Sequence, residues 1–309
     1  MTIAQKKTLL RKEVRRDWLQ MALWIGFALF FVYIYPGIFR DLFFLLPLIF
    51  FYRSQKNYFW FAFFFILINA PAYFFSTNTI AETYRLPLYN IIPGFTLTLF
   101  DLFLIVSLIK VYVKQLQKNK QFIIGQKWKL LLIYFIVVTL PISFIYDTHD
   151  LGKFAFFLRP YVYYLFIIPF VVLHSNQKEL IKFGYLVSPF VIPIIADQLF
   201  VITSGTNLIA QIDPSFQRRI ITNTTTGNVR PMAKGVFILF YSIIFIFQII
   251  NIPRYRIIKY FPEVIIVVSF LSIIISATRA WIALVVVAVI AFYWLSVHKL
   301  KFFKQGLIL

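Results

Sequence analysis

The sequence predicts an all-α, polytopic integral membrane protein of about ten transmembrane helices with both termini cytoplasmic. Three observations carry that prediction. Of 309 residues, 61% are hydrophobic, where a soluble domain is only about half apolar. Long apolar runs recur from residue 18 onward, with charged residues clustered between them. Runs such as "LLLIYFIVV" and "ALVVVAVIAFYW" lack the alternation of polarity that a membrane β-barrel strand requires.

The apolar stretches place spans at 18–35, 38–52, 58–75, 95–113, 130–146, 160–174, 183–203, 236–250, 264–277 and 280–297. Several fall short of the roughly 20 residues a crossing needs. Span 38–52 is one of these, and it sets the parity of everything after it. Residues 1–17 form a basic cytoplasmic N-terminus, 18–297 a membrane domain with its largest outer loop at 204–235, and 298–309 a cytoplasmic tail. The basic start "QKKTLLRKEVRRD" has no small-residue cleavage site after it, so the first helix is expected to be retained. Gly, Asn, Thr and Pro mark 204–235 as loop with one short surface helix. The final "GLIL" reads as the start of a further apolar helix, so the tail is expected to be truncated before it.

The net charge of +20 on a soluble protein would suggest nucleic acid. Here membrane lipids are the expected partner, and nucleic acid is not. With the N-terminus inside, twenty-two of the 31 basic residues fall on inner segments, as the positive-inside rule requires. The nine outer ones are Arg40, Arg85, Lys153, Arg159, Arg218, Arg219, Arg230, Lys234 and Arg279. Lysine predominates inside, whereas arginine leads seven to two outside. Lysine is sufficient for a diffuse attraction to lipid; the planar arginine fork suits bidentate binding of phosphate or carboxylate.

Three outward helix starts carry cations. Arg159 precedes Pro160, a residue suited to the first helical turn. Thr278 is an N-cap candidate directly before Arg279, and Arg230 and Lys234 precede the helix at 236. A cation there opposes the helix macrodipole by a few tenths to about 1 kcal/mol. A bound anion reverses the sign, because guanidinium and backbone N–H groups then converge on it. Arg279 is the strongest case: span 264–277 reaches only about 21 Å, which sets the following turn below the outer surface, where charge marks a substrate path. Arg40 and Arg85 read as interfacial anchors.

Other chemistry is sparse. Asp101 and Asp197 lie in the outer halves of their helices, suited to pairing with an outer arginine or orienting a sugar hydroxyl. His149 is a lone loop histidine, and His174 and His298 sit at cytoplasmic helix ends as C-terminal caps. No P-loop, dinucleotide fingerprint or zinc-protease motif occurs, and no cysteine. Neither a cofactor nor a metal is expected.

The segment "IIISATRAWIALVVV" resembles the arginine-containing hairpin of the O-antigen ligase and polymerase superfamily of bacterial envelope glycan enzymes. "GNVRPMAKGVFILF", "FTLTLFDLFLIVSLI" and "FLRPYVYYLFIIPF" resemble three further segments of that family, so the likeness covers about residues 90–305. In "SATRA" the usual serine before the arginine and glycine after it are missing. The long outer loop and extra helices that follow the family's hairpin, where the ligase branch has its proposed catalytic histidine, are missing too. The resemblance implies a metal-independent glycosyltransferase in the bacterial inner membrane. It would transfer a glycan from an undecaprenyl-pyrophosphate donor to a glycan or lipid acceptor, building O-antigen or other surface polysaccharide. Arg279 and Arg230 would stabilise the leaving pyrophosphate, with Arg159, Lys234, Arg218, Arg219 and Asp101 binding substrate. Two alternatives stand beside it. One is a transporter or lipid-linked glycan flippase, suggested by Pro47, Pro71, Pro141, Pro169, Pro189 and Pro193 within apolar runs. The other is an inactive membrane fragment.

Overall fold

A computed structural model describes residues 3–35, 37–69, 86–92, 95–116, 165, 169–170, 173–174, 176–205, 221–222, 229–230, 236–251, 255–276, 282–283, 286 and 290. These are mostly helical. In chain order the elements are α1 (Ile3–Tyr33), α2 (Ile38–Arg53), α3 (Asn57–Asn69), β1 (Leu88–Ile92), β2 (Phe95–Thr98), α4 (Leu99–Leu116) and α5 (Gln177–Val187). A 3₁₀ turn (Ser188–Phe190), α6 (Val191–Ser204), β3 (Ile221–Thr222), β4 (Val229–Arg230), α7 (Val236–Asn251) and α8 (Phe261–Ile275) follow. The chain divides into two compact units, one of residues 1–34, 58–85 and 177–309, the other of 35–57 and 86–176.

In the first unit, α1 is continuous over 31 residues, roughly 46 Å. The described parts of the expected cytoplasmic segment 1–17 and of span 18–35 thus share one helix. Its buried face is Leu10, Val14, Asp17, Met21, Ala28 and Val32, at the spacings of one helical stripe. Trp24 meets Trp60 edge-on at 5.2 Å and Phe63 at 6.1 Å, so α1 and α3 pack with α3 almost wholly buried. The run from Gln177 to Ser204 is 28 residues, and among the described residues it alone is long and apolar enough to cross a membrane. Shorter apolar helices occupy Asn57–Leu67, Ile238–Phe247 and Phe261–Ile275. Pro189 lies in the 3₁₀ turn that interrupts the long run, as expected of a residue without an amide donor. Pro47, by contrast, sits inside an unbroken α2. Gly205 ends α6 in the left-handed conformation (φ 70°), its amide donating to the Val201 carbonyl at 3.0 Å. Gly184 lets α5 approach α7, because a Cβ there would collide with the Phe245 ring.

Several boundaries differ from the sequence reading. Helix α4 starts at Leu99 instead of residue 95, because Phe95–Thr98 pairs antiparallel with β1, Leu88 opposite Thr98. Helix α8 starts at Phe261, with Pro262 in its first turn. In the outer loop 204–235 a short β-ribbon sets Ile221 opposite Arg230 and Thr222 opposite Val229; the rest of the loop beyond Gly205, with the short surface helix expected in it, lies outside the described residues. Span 130–146 and most of 160–174 and 280–297 lie outside the described residues.

Apolar stripes lie exposed on several helices. Helix α1 exposes Leu19, Leu23, Phe27 and Phe30 in one stripe; α2 exposes Phe39, Leu42, Leu46 and Ile49; α8 exposes Val264, Val267, Leu271 and Ile274. Ser242, Ser269, Ser272, Ser276, Asp197 and Gln198 are buried. In water, each large apolar side chain left exposed forgoes about 1.5–3 kcal/mol, and contiguous stripes of this kind mark contact with another apolar phase.

Candidate functional site

Of the expected site residues, Arg279, Arg159, Lys234, Arg218 and Arg219 lie outside the described residues. Arg230 is on β4, its backbone opposite Ile221. Asp101 is in the other unit, and its role there is local. One carboxylate oxygen accepts from the Thr98 amide at 2.7 Å and the Thr98 hydroxyl at 2.9 Å. The Thr98 hydroxyl accepts from the Asp101 amide at 3.2 Å. Thr98 and Asp101 thus form a reciprocal capping box, and the negative charge suits the helix N-terminus. Asp101, expected to orient a sugar hydroxyl or pair with an outer arginine, caps α4 through the segment "TLFD". Arg40, read as an anchor, pairs with Asp41 at 2.9 Å, and the Tyr89 hydroxyl donates to the Asp41 carbonyl at 2.9 Å. Burial and then the Asp41 charge push the Tyr89 hydroxyl above its ordinary pKa.

A polar seam joins α6 to α8. Gln198 Nε2 donates to the Ser272 carbonyl at 3.1 Å, and the Ser272 hydroxyl donates to Gln198 Oε1. Ser269 and Ser276, on the same face of α8, donate to the carbonyls of Ile265 and Ile273 at 2.7 and 2.6 Å. Small polar residues of this kind permit close helix approach. The face ends at Ser276, three residues before Arg279.

A second cluster, absent from the sequence reading, gathers segments assigned to the inner side. Glu13 on α1 pairs with Lys182 and Lys178 on α5 at 2.5 and 3.3 Å. The buried Asp17 accepts from the Tyr58 hydroxyl at 2.8 Å. Trp18 Nε1 donates to the Tyr185 carbonyl at 2.7 Å, and the Tyr185 hydroxyl to the Tyr255 carbonyl at 2.8 Å. Burial alone would raise the Glu13 pKa, but hydrogen bonds and charge from Lys182 and Lys178 outweigh it and lower the carboxyl. In the other unit, Lys110 Nζ donates to the carbonyls of Phe51 and Ser54 at 2.5 and 2.6 Å, neutralising the C-terminal end of α2. His174 likewise donates through Nδ1 to the Phe170 carbonyl at 2.7 Å, as a helix-end cap.

No family model, curated protein or solved structure matches the chain. Among the described residues, no group of three His, Cys, Asp or Glu is placed to hold a metal.

Proposed function

We propose that the chain is a multi-pass protein of the bacterial inner membrane that transfers a glycan from an undecaprenyl-pyrophosphate donor on the outer face. The observation that carries the membrane part is the pattern of exposure: apolar stripes outward on α1, α2, α4 and α8, with serines and Gln198 inward. In lipid the outward stripes cost nothing, and the inward polar groups satisfy one another.

The contacts also support alternation about the bilayer. Asp17 meets Tyr58, and further along the same helices Trp24 meets Trp60 and Phe63. Helices α1 and α3 therefore run parallel. Glu13 with Lys182, Tyr185 with Tyr255, and Lys110 with Ser54 each join two inner segments. Tyr89 with Asp41 joins two outer ones. The same ten-span count puts the arginine-rich set on the outer side.

The transfer reading rests on those outer arginines and on the resemblance around Arg279 and Arg230. A leaving pyrophosphate gains negative charge as the glycosidic bond breaks, and fixed guanidinium groups stabilise that charge without a metal. Arg279→Ala in cells that depend on this protein is expected to abolish polymer elongation or attachment, read as the polysaccharide ladder on a gel. An unchanged ladder would reject the assignment. The break at Ser188–Phe190 favours a second reading, a lipid-linked glycan transporter, since interrupted helices line transport sites. Substrate counterflow in proteoliposomes without glycan transfer would favour it.

A further inference from the structure

We infer that the first half of α1 carries a binding site for an anionic phospholipid headgroup in the cytoplasmic leaflet, an inference that rests on the membrane reading above. Helix α1 sorts its charges by face. Its acids, Glu13 and Asp17, turn to the interior, where Lys182, Lys178 and Tyr58 engage them. Its cations Arg11, Lys12, Arg15 and Arg16 are all exposed. Among the described residues these four make no ion pair. The acids of the same helix are already occupied, Glu13 by Lys182 and Lys178 and Asp17 by Tyr58. Arg11 with Arg15, and Lys12 with Arg16, are like charges one turn apart, which repel unless an anion lies between them.

Position then selects the anion. Arg16, Leu19 and Leu23 follow one another at three- and four-residue steps, and Lys12 precedes Arg16 by four, so both cations extend the exposed stripe Leu19–Leu23–Phe27. Side chains on that stripe face acyl chains if α1 crosses a bilayer. Arg16 and Lys12 then lie roughly 4.5 and 10 Å further along the axis than Leu19, at the level of the headgroups that begin where the hydrocarbon ends. A phosphodiester with no amine of its own leaves a net negative charge there. The guanidinium of Arg16 and the ammonium of Lys12 would share it, with Arg15 flanking. The lipid is thus fixed by charge complementarity and depth together.

The test uses the full chain in phosphatidylcholine vesicles with spin-labelled phosphatidylglycerol or spin-labelled phosphatidylcholine as probes. The protein-bound fraction of the anionic probe is expected to exceed that of the zwitterionic one. Lys12→Gln with Arg16→Gln is expected to reduce the excess by about fivefold per cation at low salt. Arg53→Gln with Lys56→Gln, another inner pair, should leave most of it. Should the double glutamine variant fail to fold, the unaltered chain decides: its excess must fall as salt is raised. Equal binding of the two probes, or an excess indifferent to salt, overturns the site. Alkaline carbonate extraction separates the two claims: release of the chain from membranes rejects the membrane reading itself, whereas retention with equal probe binding rejects only the lipid site.

Discussion

Helix α1 and the run from Gln177 to Ser204 are the two longest helical stretches described, and they handle polar groups in opposite ways. Helix α1 is unbroken and keeps its charged residues in its first half, with no charged residue from Trp18 onward. The second run is interrupted at Ser188–Phe190 and carries Asp197 and Gln198 buried within its apolar half. The contrast separates two uses of polarity. On α1, charge ties the helix to α5 and α3. On α6, a polar side chain inside an apolar surround holds a neighbouring helix at close range.

The largest expected effect tests what the two helices share, their apolar outer faces. Leu23 and Leu199 are 62% and 48% exposed, so in water Leu→Arg at either would be close to neutral. In a bilayer each costs about 2.5–3.5 kcal/mol near the centre of a span. The expected outcome for Leu23→Arg and Leu199→Arg is a marked loss of membrane-inserted protein, measured by fractionation; unchanged insertion would break the comparison at its base.

Next comes the inner anchor of α1. Tyr58→Phe removes a donor from the buried Asp17 carboxylate, with an expected loss of about 1–3 kcal/mol. A thermal melt in detergent should show it. Gln198→Leu cuts the α6–α8 seam, and hydrogen bonds between membrane helices average only about 0.6 kcal/mol. Its melting temperature should therefore fall less than that of Tyr58→Phe. A reversed order would mean that the seam, and not the inner cluster, is the stronger tie.

The smallest effect is the titration of Glu13. Its folded pKa is lowered by Lys182 and Lys178, so its stabilisation is fully present above the ordinary carboxylate value of 4.5. It is lost as pH falls through the lowered folded value. Solvent reaches this pair and weakens it. Glu13→Gln should flatten part of the acid-side decline by lowering the melting temperature slightly at neutral pH and leaving it nearly unchanged at pH below the folded value.

The comparison also explains what the sequence revealed. Apolar runs and charge clusters place α2 and α7 within about a residue of their observed limits, because hydropathy alone decides where such helices lie. The start of α4 was misplaced because Thr96 and Thr98 continue an apolar run while pairing as a strand. The capping box was legible in "TLFD", where Thr98 and Asp101 stand at the spacing of a helix N-terminus. Gln198 and Ser272 are 74 residues apart, and Asp17 and Tyr58 are 41 apart. No local pattern encodes either pair, although the spacing of Ser269, Ser272 and Ser276 does mark one polar face. Of the outer arginines, Arg40 found its partner in the very next residue, a signal present in "RD" from the start.

The central claim is that the chain alternates across a membrane, with lysine-rich segments inside and arginine-rich ones outside. The chain has no cysteine, so single cysteines report their side without interference. With a membrane-impermeant maleimide on intact cells, Asn90→Cys and Thr222→Cys are expected to label directly. Thr8→Cys and Gln55→Cys should label only after permeabilisation. Direct labelling of Gln55→Cys would remove the crossing by α2 and reverse every later segment, and identical labelling at all four positions would contradict the membrane account altogether.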